Sequence, residues 1–138
     1  MKSRHLLIAA LVGAIMLVGA LPAFAGSLGA TVNYDGDPAG DGTLRHNGGG
    51  SYTLIACDVQ KDGFGITAYA WSDRVGVPVA ASDTNGANKS RSGTKGCATK
   101  HIGLTGNRVY LKVCRRDRNG DVDKSGRETC SAIRTTSN

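Results

Sequence analysis

Polar and apolar residues alternate along much of this chain, but not across its first 25 positions. Leu6 to Leu21 is one apolar run of about 16 residues, preceded by Lys2 and Arg4 and followed by Ala23-Phe24-Ala25. A positive start, an apolar stretch and a small–x–small site are the three parts of a secretory signal. The run is shorter than the roughly 20 residues a membrane-spanning helix needs, and Pro22 ends it. A lipoprotein would place a cysteine where Gly26 and Ser27 stand. The expectation is a signal peptide over 1–25, cleaved after Ala25, and one secreted, extracellular domain over 26–138.

Beyond position 25 the period is two, the period of strands. Ala30–Tyr34 reads as an opening strand, and the glycine- and Asx-rich stretch 35–50 as a loop. Ser51–Gln60 alternates Tyr52, Leu54 and Ala56 against Thr53, Ile55, Cys57 and Val59. Lys61-Asp62-Gly63 then predicts a hairpin turn, with Phe64–Ser72 as its return strand, Ile66, Ala68 and Ala70 opposing Thr67, Tyr69 and Trp71. Val75–Ala81 is a further strand, placed at an edge or bulge by Pro78. A polar loop over 82–96 follows, then a brief strand at Ile102–Leu104. Asn107–Arg115 sets Val109, Leu111 and Val113 opposite Tyr110, Lys112 and Cys114, and Arg127–Arg134 returns. No window has helical periodicity, and no repeat recurs at a fixed period. The predicted fold is all-β, a small antiparallel β-sandwich.

Large apolar side chains are scarce in residues 26–138, where Trp71 and Phe64 stand with four tyrosines, so the core is thin and crosslinks matter. Trp71 is expected at its centre. The four cysteines, Cys57, Cys97, Cys114 and Cys130, read in an exported chain as two disulfides, for which three connectivities are open. The expected pairing is Cys57–Cys97 and Cys114–Cys130; the latter two lie symmetrically about position 122, as a hairpin centred there requires. No Cys-x-x-Cys pair points to structural zinc. The order Cys57, Trp71, Cys114 allows an immunoglobulin-like topology, although the tyrosine-corner position, 112, holds Lys.

In layout the chain resembles the small exported two-disulfide β-proteins of filamentous actinobacteria that have no assigned activity. The signal, the Cys57-Asp58…Asp62-Gly63 segment and the closing Val113-Cys114-Arg115…Thr129-Cys130-Ser131 segment carry the resemblance. It implies export and a disulfide-stapled β fold, and brings no catalytic motif.

Charge adds candidate chemistry. The formal net charge is +6, falling to about +4 without Lys2 and Arg4. The excess lies late, in Lys89, Arg91, Lys95, Lys100, Arg108, Lys112, Arg115, Arg116 and Arg118. Alternation sends Arg108, Tyr110, Lys112, Cys114 and Arg116 to one face, which makes Arg108, Tyr110, Lys112 and Arg116 the candidate ligand-binding residues for an anionic polymer or cell-wall glycan. Tyr52, Tyr69, Trp71 and Tyr110 are the candidates for stacking on a sugar. Asp117 to Glu128 places oxygen donors in EF-hand register, but Val122 stands where glycine is needed and the flanks read as strands, so no metal is assigned. No cofactor is expected.

The leading expectation is therefore a monomeric, non-catalytic extracellular module for an anionic or carbohydrate cell-envelope ligand. Two alternatives stand beside it. One is a protease inhibitor acting through the 82–96 loop, with Lys89, Arg91 or Lys95 as its specificity residue. The other is a small basic secreted ribonuclease using His46 and His101, or one of them with Glu128, as acid and base, with Lys100, Arg115 or Arg116 stabilising the phosphorane. No Gly-x-Ser-x-Gly elbow supports a serine hydrolase.

Overall fold

A computed structural model of the chain describes residues 26–84, 96–117 and 129–138. The proposed signal segment, most of the 82–96 loop and residues 118–128 lie outside them. The described residues form an all-β, two-layer sandwich of antiparallel strands. The first sheet takes β1 (Leu28–Tyr34), β2 (Asp37–Gly48), β3 (Ser51–Asp58) and β6 (Ala98–Gly103), in the order β1-β2-β3-β6. The second takes β4 (Phe64–Ser72), β5 (Val79–Asp83), β7 (Arg108–Asp117), β8 (Thr129–Cys130) and β9 (Arg134–Ser137), in the order β5-β4-β7-β8 with β9 also on β7.

The alternation read from the sequence sorts the faces. Leu44, Tyr52, Leu54 and Ala56 of the first sheet meet Ile66, Ala68, Ala70, Val109, Leu111 and Val113 of the second, each at most 1% exposed. Leu104, 2% exposed, joins this core from the β6–β7 connection. Tyr52, not Trp71, is the large ring at its centre, and its hydroxyl donates to Asn138 Oδ1. Trp71 lies half-buried on the outer face of the second sheet, because the inner residues of β4 are those paired with Val109, Leu111 and Val113.

Two expectations about connectivity are corrected. Within the stretch 35–50, Asp37–Gly48 is a strand where a loop was expected. Asp35 and Gly36, with φ of 53° and 87°, make the tight two-residue turn into it. Gly40 and Gly42 point inward, where an added Cβ would collide with Ile66 Cγ1 and Val113 Cγ2 respectively. Glycine there lets the two layers close, so a composition that reads as loop belongs to a buried strand. The Lys61-Asp62-Gly63 turn does not make a hairpin either: β3 pairs with β2 and β6, while β4 pairs with β5 and β7. The chain crosses between layers at this turn, which lets the apolar face of β3 bury against that of β4.

Both expected disulfides are formed, Cys57–Cys97 and Cys114–Cys130. Each lies within one sheet. Cys57 is on β3 and Cys97 precedes its neighbour β6, while Cys114 and Cys130 are direct partners across β7 and β8. The Cys57, Trp71, Cys114 order therefore does not mark an inter-sheet bridge. Two disulfides are compatible with an extracellular protein. No helix among the described residues is long and apolar enough to cross a membrane.

Edge strands carry charge. Lys100 of β6 pairs with Leu54 and shares its inward face, yet lies exposed at the rim, a placement that discourages further strand pairing.

Candidate nucleic-acid interface

The outer face of the second sheet collects the residues that alternation singled out. Register places Trp71 opposite Tyr110, Tyr69 opposite Lys112, and Gly65 opposite Arg116. The Trp71 and Tyr110 rings stack, with centroids 5.4 Å apart and planes 12° from parallel. The Arg116 guanidinium lies 5.3 Å from the Tyr69 ring centroid. Arg108, exposed, continues the stripe opposite Ser137 of β9. All four predicted ligand-binding residues thus share one surface with two of the predicted stacking residues, Tyr69 and Trp71. Tyr52, the remaining stacking candidate, is fully buried and has no part in it.

Beside this stack is a cavity of about 370 Å³ lined by Tyr69, Trp71, Pro78, Lys112, Arg116 and Ile133. Its lining includes two aromatic rings, exposed Ile133 and two cations. Sequence reading missed Pro78 and Ile133 as lining residues. Pro78 precedes β5, and Ile133 belongs to the link between β8 and β9, so only strand pairing brings them to Trp71.

The other candidates are scattered. Arg115, counted among the basic residues, is 4% exposed and faces inward. Its guanidinium lies 3.7 Å from the Tyr34 ring centroid and 3.6 Å from that of Phe64, and its Nη2 is 2.9 Å from Asp62 Oδ2. It clasps one end of the sandwich and is not available to a ligand on the outer face.

His46 and His101 are not brought together as an acid–base pair. His46 shares a rung with Tyr52 and packs against its ring at 4.9 Å. His101 shares the next rung with Thr53, so strand alternation sends it to the opposite face, where its Nδ1 is 3.1 Å from Thr53 Oγ1. Lys89, Arg91, Lys95, the 118–128 part of the acidic loop, with Arg118 and Glu128, and most of the inhibitor-type loop lie outside the described residues. Among the described residues no group of three or more His, Cys, Asp or Glu side chains is arranged for a metal.

A buried carboxyl pair also escaped the sequence reading. Asp58 and Asp83 are each 1% exposed, and the Asp58 backbone N–H donates to Asp83 Oδ2 at 2.9 Å. Asp58 Oδ1 accepts from Gln60 N–H at 3.0 Å, whereas its Oδ2 is buried with no hydrogen-bond partner. Burial raises the Asp58 pKa from 3.8 to about 6; the Gln60 hydrogen bond opposes that shift only in part.

Fold and face together define a two-sheet β domain with one aromatic, cationic outer surface. No family model matches the chain, and a search of curated proteins finds no match. Among solved structures the chain is similar to the crystal structure of an endonuclease/exonuclease/phosphatase from Beutenbergia cavernae DSM 12333, with a TM-score of 0.54 and 18% identity. The likeness covers 82% of this chain and 27% of that one, so the chain spans about a quarter of its neighbour's length. At that identity the likeness is one of fold. Set against that neighbour, an endonuclease/exonuclease/phosphatase, the leading expectation of a non-catalytic cell-envelope module is not upheld.

Proposed function

We propose that the protein is nucleic-acid-directed, in the sense of the nuclease alternative, and that the outer face of the second sheet is where it holds its phosphodiester substrate. The observation that carries this reading is the Trp71–Tyr110 stack beside Lys112 and Arg116. Aromatic rings interleaved with cations are the chemistry that tracks bases and phosphates at once. A fold shared with an endonuclease/exonuclease/phosphatase supports this reading. Because the chain spans about a quarter of that neighbour, the task assigned to this face is substrate holding. Bond cleavage is a separate question, and His46 and His101 do not supply it as a pair.

The test is a titration of the disulfide-intact protein against fluorescein-labelled RNA and DNA oligonucleotides, followed by anisotropy and, in parallel, by gel for shortened products. Affinity that falls steeply with salt, and falls again in the Lys112→Ala/Arg116→Ala double variant, is the expected result. Absence of binding to every oligonucleotide at low salt overturns the reading. Cleavage that survives extensive purification, and is lost in His101→Ala, would extend it to catalysis.

A further inference from the structure

The cavity beside Trp71 carries a more specific reading of that face. Tyr110 stacks on Trp71 but does not line the cavity, so the pair meets the empty space through the indole, which Tyr110 braces. Pro78 and Ile133 add apolar walls, and Tyr69 extends the aromatic lining toward Arg116. A volume of about 370 Å³ lies at the small end of ligand pockets, enough for one planar heterocycle with its flanking sugar and phosphate. Lys112 and Arg116 stand on the same lining, so a base seated there would carry its phosphate beside two cations. A base inside a duplex has both faces covered by its neighbours and cannot stack on Trp71 without being unstacked.

Resting on the nucleic-acid reading above, we propose that this cavity is a nucleotide subsite in which one unpaired base stacks on Trp71 while Lys112 and Arg116 hold its phosphate, so that the face selects single strands over duplexes. Stacking of a base on an aromatic side chain is worth about 1–3 kcal/mol, which is roughly five- to 150-fold in affinity. It is also tolerant of sequence, because every base has a π-face. The preference therefore follows strandedness, not base identity.

Trp71 is the one tryptophan of the chain, so its own fluorescence reports on the subsite. The probes are an unlabelled 12-nucleotide oligouridine, a 12-nucleotide oligoadenine, and the duplex formed from the two. Both single strands are expected to quench Trp71 saturably and to bind at least about tenfold more tightly than the duplex. Trp71→Ala should weaken single-strand binding by a similar factor, followed by anisotropy of the labelled strand, while Trp71→Phe retains most of it. Lys112→Ala, which leaves the stack in place, should make the dependence of affinity on salt shallower by about 0.7 in log–log slope, one phosphate's worth for a single strand. Equal affinity for single strand and duplex, or binding without Trp71 quenching, would overturn the subsite while leaving the nucleic-acid reading intact. Failure of all three probes to bind would overturn both.

Discussion

Asp58 is a buried carboxyl with one orphaned oxygen, and replacing it with asparagine gives a quantitative test of what that burial does. Burial raises its pKa from 3.8 to about 6. One pKa unit corresponds to about 1.36 kcal/mol, so the ionised form opposes folding by about 3 kcal/mol at neutral pH. The folded-state pKa lies above the unfolded one, so the folded protein binds the extra proton. The Asp58 contribution to stability is then most favourable below about pH 4, falls as pH rises from 4 to 6, and stays at its lower value above 6. Asp58→Asn keeps the Oδ1 acceptor for Gln60 N–H and removes the charge. A desolvated amide N–H in place of Oδ2 takes back about 1 kcal/mol. The expected outcome is a gain of about 2 kcal/mol at pH 7, roughly 8 °C in Tm, and no gain at pH 4. The assay is thermal and guanidinium unfolding of wild type and variant, disulfides intact, at unit pH steps from 4 to 8. Comparison of the two curves cancels the titration of every other carboxyl. Parallel curves between pH 4 and 6, or a variant less stable at pH 7, would refute the assignment of an uncompensated Asp58 charge.

Further outcomes follow from packing and crosslinks. Gly42→Ala places a Cβ against Val113 and Ala68 and should destabilise by about 1–3 kcal/mol through overpacking; a value near zero in denaturant unfolding would show that the layers can part there. Opening Cys114–Cys130, with a sequence separation of 16, should lower stability by about 3 kcal/mol on loop-closure grounds. Opening Cys57–Cys97, with a separation of 40, should lower it by about 4 kcal/mol, and the reverse order in paired serine variants would argue against that account. Arg115→Lys preserves charge but loses the planar group between the Tyr34 and Phe64 rings, for an expected loss of about 1–2 kcal/mol. A Tm unchanged in that variant would mean the two ring contacts contribute nothing beyond the ion pair with Asp62.

Much of the candidate site was legible because strands alternate strictly. Once residues 108–116 are read as a strand, Arg108, Tyr110, Lys112 and Arg116 must share a face, and the same holds for Tyr69 and Trp71 on β4. Pairing of β4 with β7 in a register that sets Trp71 on Tyr110 is a long-range fact with no local signature. The cavity is a consequence of that pairing and of where the β8–β9 link returns, which is why Ile133 drew no notice. The histidines show the converse. Both are in polar, glycine-rich surroundings, and nothing local revealed that they would sit on adjacent rungs of one sheet, facing opposite ways.

By itself the sequence determined the strand class, the period-two partition of β3, β4 and β7 into two faces, and the pairing of Cys114 with Cys130. These are properties of the backbone's own geometry, and they hold wherever the strand ends up. Only the tertiary structure decided which strands share a layer and what lies at the centre. It made a buried strand of the glycine-rich 37–48 segment, because side chains of the facing sheet occupy the space at Gly40 and Gly42. It put Tyr52 inside and Trp71 outside, and drew Arg115 inward against two rings. Alternation fixes which residues travel together; the volume between two layers fixes which set is buried, and that volume exists only once strands distant in sequence have paired.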